Sequence, residues 1–166
     1  MSRDVHLDVL LPHNRNHPGW IRIEIDGIPI REFRVLGRGS THVPHHRPNP
    51  TLSPFLYGGN TPTGEYVSPG IESTAKKSQS SYGPWGAVRL KAVAGQALLA
   101  EAVFGRRGLL IHGGSPGRFD GYKPTHGCLR LHNDDMKELI RIITGAHDNA
   151  EARMCEAVSI RVTVGE

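Results

Sequence analysis

The chain has 166 residues, a length that predicts one domain over residues 1–166 and leaves little room for a second. Its hydrophobic content of 37% and charged content of 22% are typical of packed globular proteins and argue against disordered and fibrous classes. The net charge of +4 is a mild excess without long Lys/Arg runs, so we expect no nucleic-acid partner.

The first elements along the chain are strands joined by a tight turn. The 20 glycines and 12 prolines already favour turns and short strands over a helical bundle. Apolar and polar residues alternate over residues 5–9 and again over 21–25, which is the period of a half-buried strand. Asp26 and Gly27 supply the positive φ angles of a two-residue hairpin turn, so residues 28–36 are predicted to pair back as its second strand.

The middle of the chain is less regular. Residues 37–60 are rich in Gly, Pro, His and Ser, which predicts a long surface connection. Short strands are expected over 61–67 and 87–93, separated by a polar excursion over 71–84. Residues 97–104 stay open between helix and strand, because Ala and Leu favour a helix whereas the glycines nearby favour a hairpin.

The last third of the chain predicts a buried strand, a helix and a final strand. The apolar run over 108–112 ends at a histidine followed by two glycines. Asn133 as a cap, acidic residues in the first turn and Gly145 after the last turn predict one amphipathic helix. Alternation over 158–164 predicts the last strand, and the fold class is therefore mostly β with one helix.

The chain contains two cysteines and no sign of a membrane or export segment. A disulfide between Cys128 and Cys155 cannot be established from sequence, and we interpret them as separate thiols, with Cys155 in a packing role. No apolar run approaches the roughly 18 residues of a membrane span. Residues 1–11 lack the features of a signal peptide, which leads us to expect a trimmed chain or non-classical export.

Residues 110–133 contain a candidate nucleophile and a candidate base. A thiolate attacks carbonyl carbons far better than a thiol does, so Cys128 would need a neighbouring imidazole or oriented amides to be charged near neutral pH. His112 is the candidate base. Gly127 lets a substrate carbonyl approach closely because it has no Cβ. The amides of Gly127 and Cys128 could together form an oxyanion hole.

Two other interpretations of these residues stay open. A cysteine beside glycines is usually a small buried hydrophobe next to a turn. Zinc is the second alternative, since ligand types are present at Cys128, His112, His126 and His132. The His-x-Cys spacing of His126 and Cys128 is unusual for a zinc site, so we expect no metal.

Three motifs together resemble those of one enzyme family. Residues 125–130, T-H-G-C-L-R, resemble the [S/T]-H-G-C-x-R signature of the L,D-transpeptidase (YkuD) catalytic domain family. The I-H-G of residues 111–113, with its histidine 16 residues before the cysteine, and the T-P-T-G of residues 61–64 resemble two further family elements. The resemblance spans residues 4–164 and implies a β sandwich or open barrel of the L,D-transpeptidase type, with a short amphipathic helix after the catalytic cysteine.

The resemblance also implies roles for individual residues. Cys128 would be the nucleophile, His112 the general base and Gly113 the carbonyl that orients the imidazole. His126, Gly127 and Cys128 would line the oxyanion site. The candidate substrate contacts are Thr125 and Arg130 from the signature, and Tyr122 and Tyr66 from neighbouring segments.

The implied reaction is acyl transfer on peptidoglycan without a metal or organic cofactor. Cys128 would attack the bond between the L-centre of diaminopimelate and the terminal D-alanine of a tetrapeptide stem, giving a thioester. A diaminopimelate amine or a D-amino acid would resolve the thioester as a transpeptidase product, whereas water would make the protein an L,D-carboxypeptidase. A non-catalytic peptidoglycan-binding module is the rival interpretation.

The expected place of action is the periplasm or cell wall. A basic wall enzyme without a signal peptide also resembles a secreted antibacterial effector, whose partners would be a secretion apparatus and an immunity protein.

Overall fold

The computed structural model describes residues 3–145 and 158–166, and this part of the chain is mostly β, with 35% strand and 17% helix. Its helices are α1 (Gln79–Tyr82), α2 (Gly95–Phe104) and α3 (Asn133–Thr144). Its strands are β1 (Arg3–Leu10), β2 (Gly19–Ile25), β3 (Ile28–Val35), β4 (Gly64–Ser68), β5 (Ile71–Glu72), β6 (Ala87–Arg89), β7 (Lys91–Ala94), β8 (Leu110–His112), β9 (Leu129–Arg130) and β10 (Val158–Gly165). The predicted mostly β fold class is confirmed.

The larger sheet has the strand order β3-β2-β1-β10-β4-β7. β1 pairs in parallel with β10, and the other neighbours in this sheet are antiparallel. The predicted hairpin is confirmed, because β2 and β3 are joined at Asp26 and Gly27, whose φ angles are 51° and 81°. Both turn residues therefore have the left-handed backbone that favours glycine and tolerates aspartate.

The smaller sheet brings the I-H-G motif of residues 111–113 next to the T-H-G-C-L-R motif of residues 125–130. Its strand order is β5-β6-β8-β9, and β8 pairs in parallel with β9. In that register Ile111 lies opposite Leu129 and His112 lies opposite Arg130. Because Cys128 immediately precedes β9, the pairing places it next to the strand that ends at His112.

The core joins the large sheet to α3. Val5, Leu7 and Val9 are buried, as their alternation along β1 predicts. α3 contributes Met136 and Leu139, among other residues, to the same buried cluster, because its apolar side chains recur at helical spacing along one face. This packing fixes the helix that directly follows the cysteine motif.

The structure resolves or corrects three local expectations. Residues 97–104 lie in the helix α2, which settles the open choice between helix and strand. The expected strand over 87–93 is divided between β6 and β7, which belong to different sheets. Asn133 is not the cap of α3: His132 occupies that position, and the Asn133 Oδ1 accepts a hydrogen bond from the Gly114 N–H at 2.8 Å.

Two further expectations concern cysteine and membrane segments. Cys155 lies outside the described residues, so its expected packing role stays a prediction. Within residues 3–145 and 158–166, no helix has the length and apolar character needed to cross a bilayer.

Candidate active site

A cavity of about 360 Å³ lies where the loops that follow β8 and precede β9 meet. His112 and Cys128 both line it, and the Leu110 N–H donates a hydrogen bond to the Cys128 Sγ at 3.3 Å. Other side chains at this cavity include Ser40, Tyr82, Lys123, Thr125, His126 and Arg130. The structure therefore brings the sequence-predicted nucleophile and base to one concave site.

His112 is held as a neutral imidazole of defined orientation. Its side chain is buried, and its Nδ1 donates to the Gly113 carbonyl oxygen at 2.6 Å, which leaves Nε2 as the acceptor nitrogen. The Tyr82 ring packs against the imidazole with centroids 4.8 Å apart. Burial, together with the nearby charge of Arg130, lowers the pKa of His112 to about 4, so the ring is uncharged at neutral pH.

Cys128 rests as a protonated thiol. Burial raises its pKa to about 11, although the Leu110 N–H and the charge of Arg130 act in the opposite direction. A neutral thiol and a neutral imidazole that line one cavity are not a preformed thiolate–imidazolium pair. Nucleophilic attack from this arrangement therefore requires that the thiol proton be transferred as the bond to carbon forms.

Two threonine hydroxyls fix the turn that carries Cys128. The Thr125 Oγ1 donates to the Cys128 carbonyl at 2.8 Å and accepts a hydrogen bond from the Gly127 N–H at 3.0 Å. The buried Thr61 Oγ1 donates to the Gly127 carbonyl at 2.6 Å. Thr61 is the first residue of the T-P-T-G motif, but its position in the sequence does not predict this contact with the cysteine turn.

The hydrogen bond of Gly127 corrects one expectation about the oxyanion hole. The Gly127 N–H already donates to a side chain, so of the two expected amides the Cys128 N–H is the remaining candidate donor. Gly127 itself has a φ of 119°, a backbone conformation that favours glycine. Its role is consequently to allow the turn, while the neighbouring residue presents the sulfur.

Replacing Thr125 with valine tests the contribution of this turn. Thr125 is buried, and the substitution removes the acceptor of the Gly127 N–H and leaves the Cys128 carbonyl with the longer 3.4 Å hydrogen bond from the Thr61 hydroxyl. We expect the free energy of unfolding in urea to fall by about 1–3 kcal/mol, because unsatisfied buried polar groups cost about that much. Thr125→Ser keeps the hydroxyl and serves as the control; equal stability of Thr125→Val and the native chain would contradict the interpretation.

Arg130 forms part of the wall between the cavity and α1. Its buried guanidinium donates from Nη2 to the Ser81 carbonyl at 2.9 Å and from Nη1 to the Ser80 carbonyl at 3.5 Å. Its backbone exchanges two hydrogen bonds with Leu36, each of 2.9 Å. Arg130 thereby anchors the short helix that supplies Tyr82 to the site, a tyrosine that sequence analysis did not single out.

Two expected substrate contacts do not reach the cavity. Tyr66 is buried in the core and its hydroxyl donates to the Pro62 carbonyl at 2.7 Å. Tyr122 is also buried, with its ring 4.1 Å from that of His132. Because neither side chain lines the cavity, the structure does not support their expected contact with substrate; Lys123 lines it instead.

The arrangement offers no cluster suited to a metal ion. In the described part of the chain, no group of three His, Cys, Asp or Glu side chains is placed to hold one. Of the three histidines considered as zinc ligands with Cys128, which are His112, His126 and His132, the last packs against the Tyr122 ring.

A family model described as the L,D-transpeptidase catalytic domain (YkuD) matches residues 35–160, which is more than half of the chain. The chain belongs to this family. The family is that of the peptidoglycan-modifying L,D-transpeptidases.

Solved structures share the fold of this L,D-transpeptidase domain. An L,D-transpeptidase from Xylanimonas cellulosilytica is 18% identical, with 99% of this chain and 61% of that one covered and a TM-score of 0.50. Bd1075 from Bdellovibrio bacteriovorus is 16% identical, with 96% and 47% covered and a TM-score of 0.53. The chain thus spans less than two thirds of the length of these structures, and no curated protein matches it.

Proposed function

We propose that the chain is a cysteine acyltransferase of peptidoglycan stem peptides, with Cys128 as nucleophile and His112 as general base, contained in one catalytic domain over residues 1–166. The observation that carries this proposal is the orientation of the buried His112, whose Nδ1 donates to the Gly113 carbonyl. His112 and Cys128 line the same cavity. An imidazole oriented in this way has only Nε2 available to accept a proton.

The proposed first step forms a thioester and releases D-alanine. The Cys128 sulfur attacks the carbonyl carbon of the diaminopimelate–D-alanine amide while its proton moves to the His112 Nε2. The resulting oxyanion is placed at the Cys128 amide, with His126 and Gly127 beside it. Collapse breaks the C–N bond, and the imidazolium gives its proton to the leaving amine.

The proposed second step regenerates the thiol. An amine acceptor, either a diaminopimelate amine or a D-amino acid, attacks the thioester and gives a proton to His112. Collapse breaks the C–S bond and the proton returns to the Cys128 sulfur. Water in the place of the amine gives the L,D-carboxypeptidase product.

The positive charge of the residues that line the cavity supports binding of an anionic acyl donor. Lys123 and Arg130 line it, and no Asp or Glu is among its described lining residues. A tetrapeptide stem carries a terminal carboxylate next to the bond that is broken, and a basic cavity attracts such a group. The proposed place of action is accordingly the periplasm or cell wall, where these stems occur.

Mass spectrometry of muropeptides tests the proposal. Tetrapeptide-stem fragments are incubated with native protein or Cys128→Ala, with and without free D-methionine. A dimer joined through two diaminopimelates indicates cross-linking, a D-methionine adduct indicates exchange, and a bare tripeptide indicates hydrolysis. Identical unchanged spectra from native protein and variant would reject the enzyme proposal in favour of a binding module.

A further inference from the structure

A buried arginine outside all three motifs contacts the turn that carries the cysteine. Arg106 directly follows the C-cap of α2 and is only 6% exposed. Its Nη1 donates to the carbonyls of Pro54 and Leu56 at 2.7 and 2.8 Å. Its Nη2 donates to the carbonyls of His126 and Gly59 at 3.2 and 3.4 Å.

These four contacts link two segments that are distant in sequence. One is the connection over residues 54–59, and the other is the residue two positions before the candidate nucleophile. All four acceptors are main-chain carbonyls, so the guanidinium fixes backbone positions, not another side chain. The planar, multiply donating group of Arg106 suits this geometry, whereas a lysine ammonium is a single point charge on a flexible stem.

The shape of the turn depends on the arginine in a second way. A methyl group added at Gly127 would clash with the Arg106 Nη2 and would lie 3.0 Å from the Gly59 carbonyl oxygen. The guanidinium therefore occupies the space that a side chain at Gly127 would fill. On the other side the Gly127 carbonyl is held by Thr61 at 2.6 Å, so the turn is fixed from two directions.

We propose that Arg106 is a positioning residue for Cys128: it clamps the His126 carbonyl to residues 54–59 and so sets the direction of the amide and sulfur of Cys128. This inference rests on the proposed function, because positioning acts on the acylation of Cys128. Acyl transfer needs the sulfur and an oxyanion donor in one geometry, whereas alkylation of the thiol by a small reagent needs only the sulfur.

The test compares two reactions of the same thiol in three variants. Arg106→Lys and Arg106→Met remove the clamp, and Arg107→Met replaces the exposed neighbouring arginine as the matched control. Intact-protein mass spectrometry follows acylation of Cys128 by a carbapenem and alkylation by iodoacetamide. We expect acylation to slow about 10- to 100-fold in both Arg106 variants, with alkylation changed less than about 3-fold and Arg107→Met like the native chain.

Each other outcome overturns the inference. Native acylation rates in folded Arg106 variants would show that the clamp is not needed, and equal slowing of both reactions would indicate altered access to the thiol. Loss of the far-ultraviolet circular dichroism of both variants at the assay temperature would assign Arg106 to fold stability alone. A native chain that is never acylated would instead reject the proposed function, which keeps the two failures distinguishable.

Discussion

Replacing Cys128 with alanine is expected to abolish covalent labelling by a carbapenem and to lower muropeptide turnover by about 10⁴-fold or more. The carbapenem carbonyl mimics the acyl group of the stem peptide and forms the same type of thioester. Cys128 and His112 line the same cavity, and the His112 Nδ1 is bound to the Gly113 carbonyl, which leaves Nε2 free to accept the thiol proton in the proposed reaction. Without the sulfur no acyl-enzyme can form.

The second cysteine of the chain provides the control for this prediction. Intact-protein mass spectrometry is carried out on the native chain, Cys128→Ala and Cys155→Ala. The native chain and Cys155→Ala should each gain the mass of one carbapenem, and Cys128→Ala should gain none. Labelling that persists in Cys128→Ala but disappears in Cys155→Ala would contradict the assignment of the nucleophile.

Replacing His112 with glutamine is expected to slow acylation of Cys128 by about 10²- to 10⁴-fold, the usual contribution of a general base. The pKa of His112 is lowered to about 4 by burial, so its base form is lost only as the pH falls through about 4. The pKa of Cys128 is raised to about 11, so the thiolate is scarce at neutral pH. The native acylation rate should therefore be nearly constant between these two values.

The variant should show a different pH dependence. Without the base, acylation relies on the scarce thiolate, and the rate should rise about tenfold per pH unit up to about pH 11, the pKa of the thiol. Single-turnover acylation from pH 5 to 9 distinguishes the two profiles. His132→Gln, which lies outside the cavity, is the control, and a native rate that itself rises tenfold per unit would contradict proton transfer to His112.

Local patterns were sufficient for most elements of the fold. The alternation over residues 5–9 and the Asp26-Gly27 turn depend on steric and burial preferences that each residue carries with it, and both predictions are confirmed. Over residues 97–104, Ala and Leu favour a helix whereas the nearby glycines favour a hairpin, and the burial seen in α2 follows no simple pattern: Ala97 and Ala100 are buried, whereas Leu98 and Leu99 are largely exposed. Such a helix shows no apolar face from which a period could be read.

The same division applies to the candidate site. Short motifs with fixed spacing were sufficient to predict the family and to single out His112 and Cys128 as the candidate pair. The core position of Tyr66 and the contact of Arg106 with the cysteine turn follow from packing in three dimensions. Whether Tyr66 is buried depends on which elements pack over its strand. Whether Arg106 finds carbonyl acceptors depends on the path of a loop that lies some 50 residues away from it in sequence. Neither can be deduced from the residues adjacent in the chain.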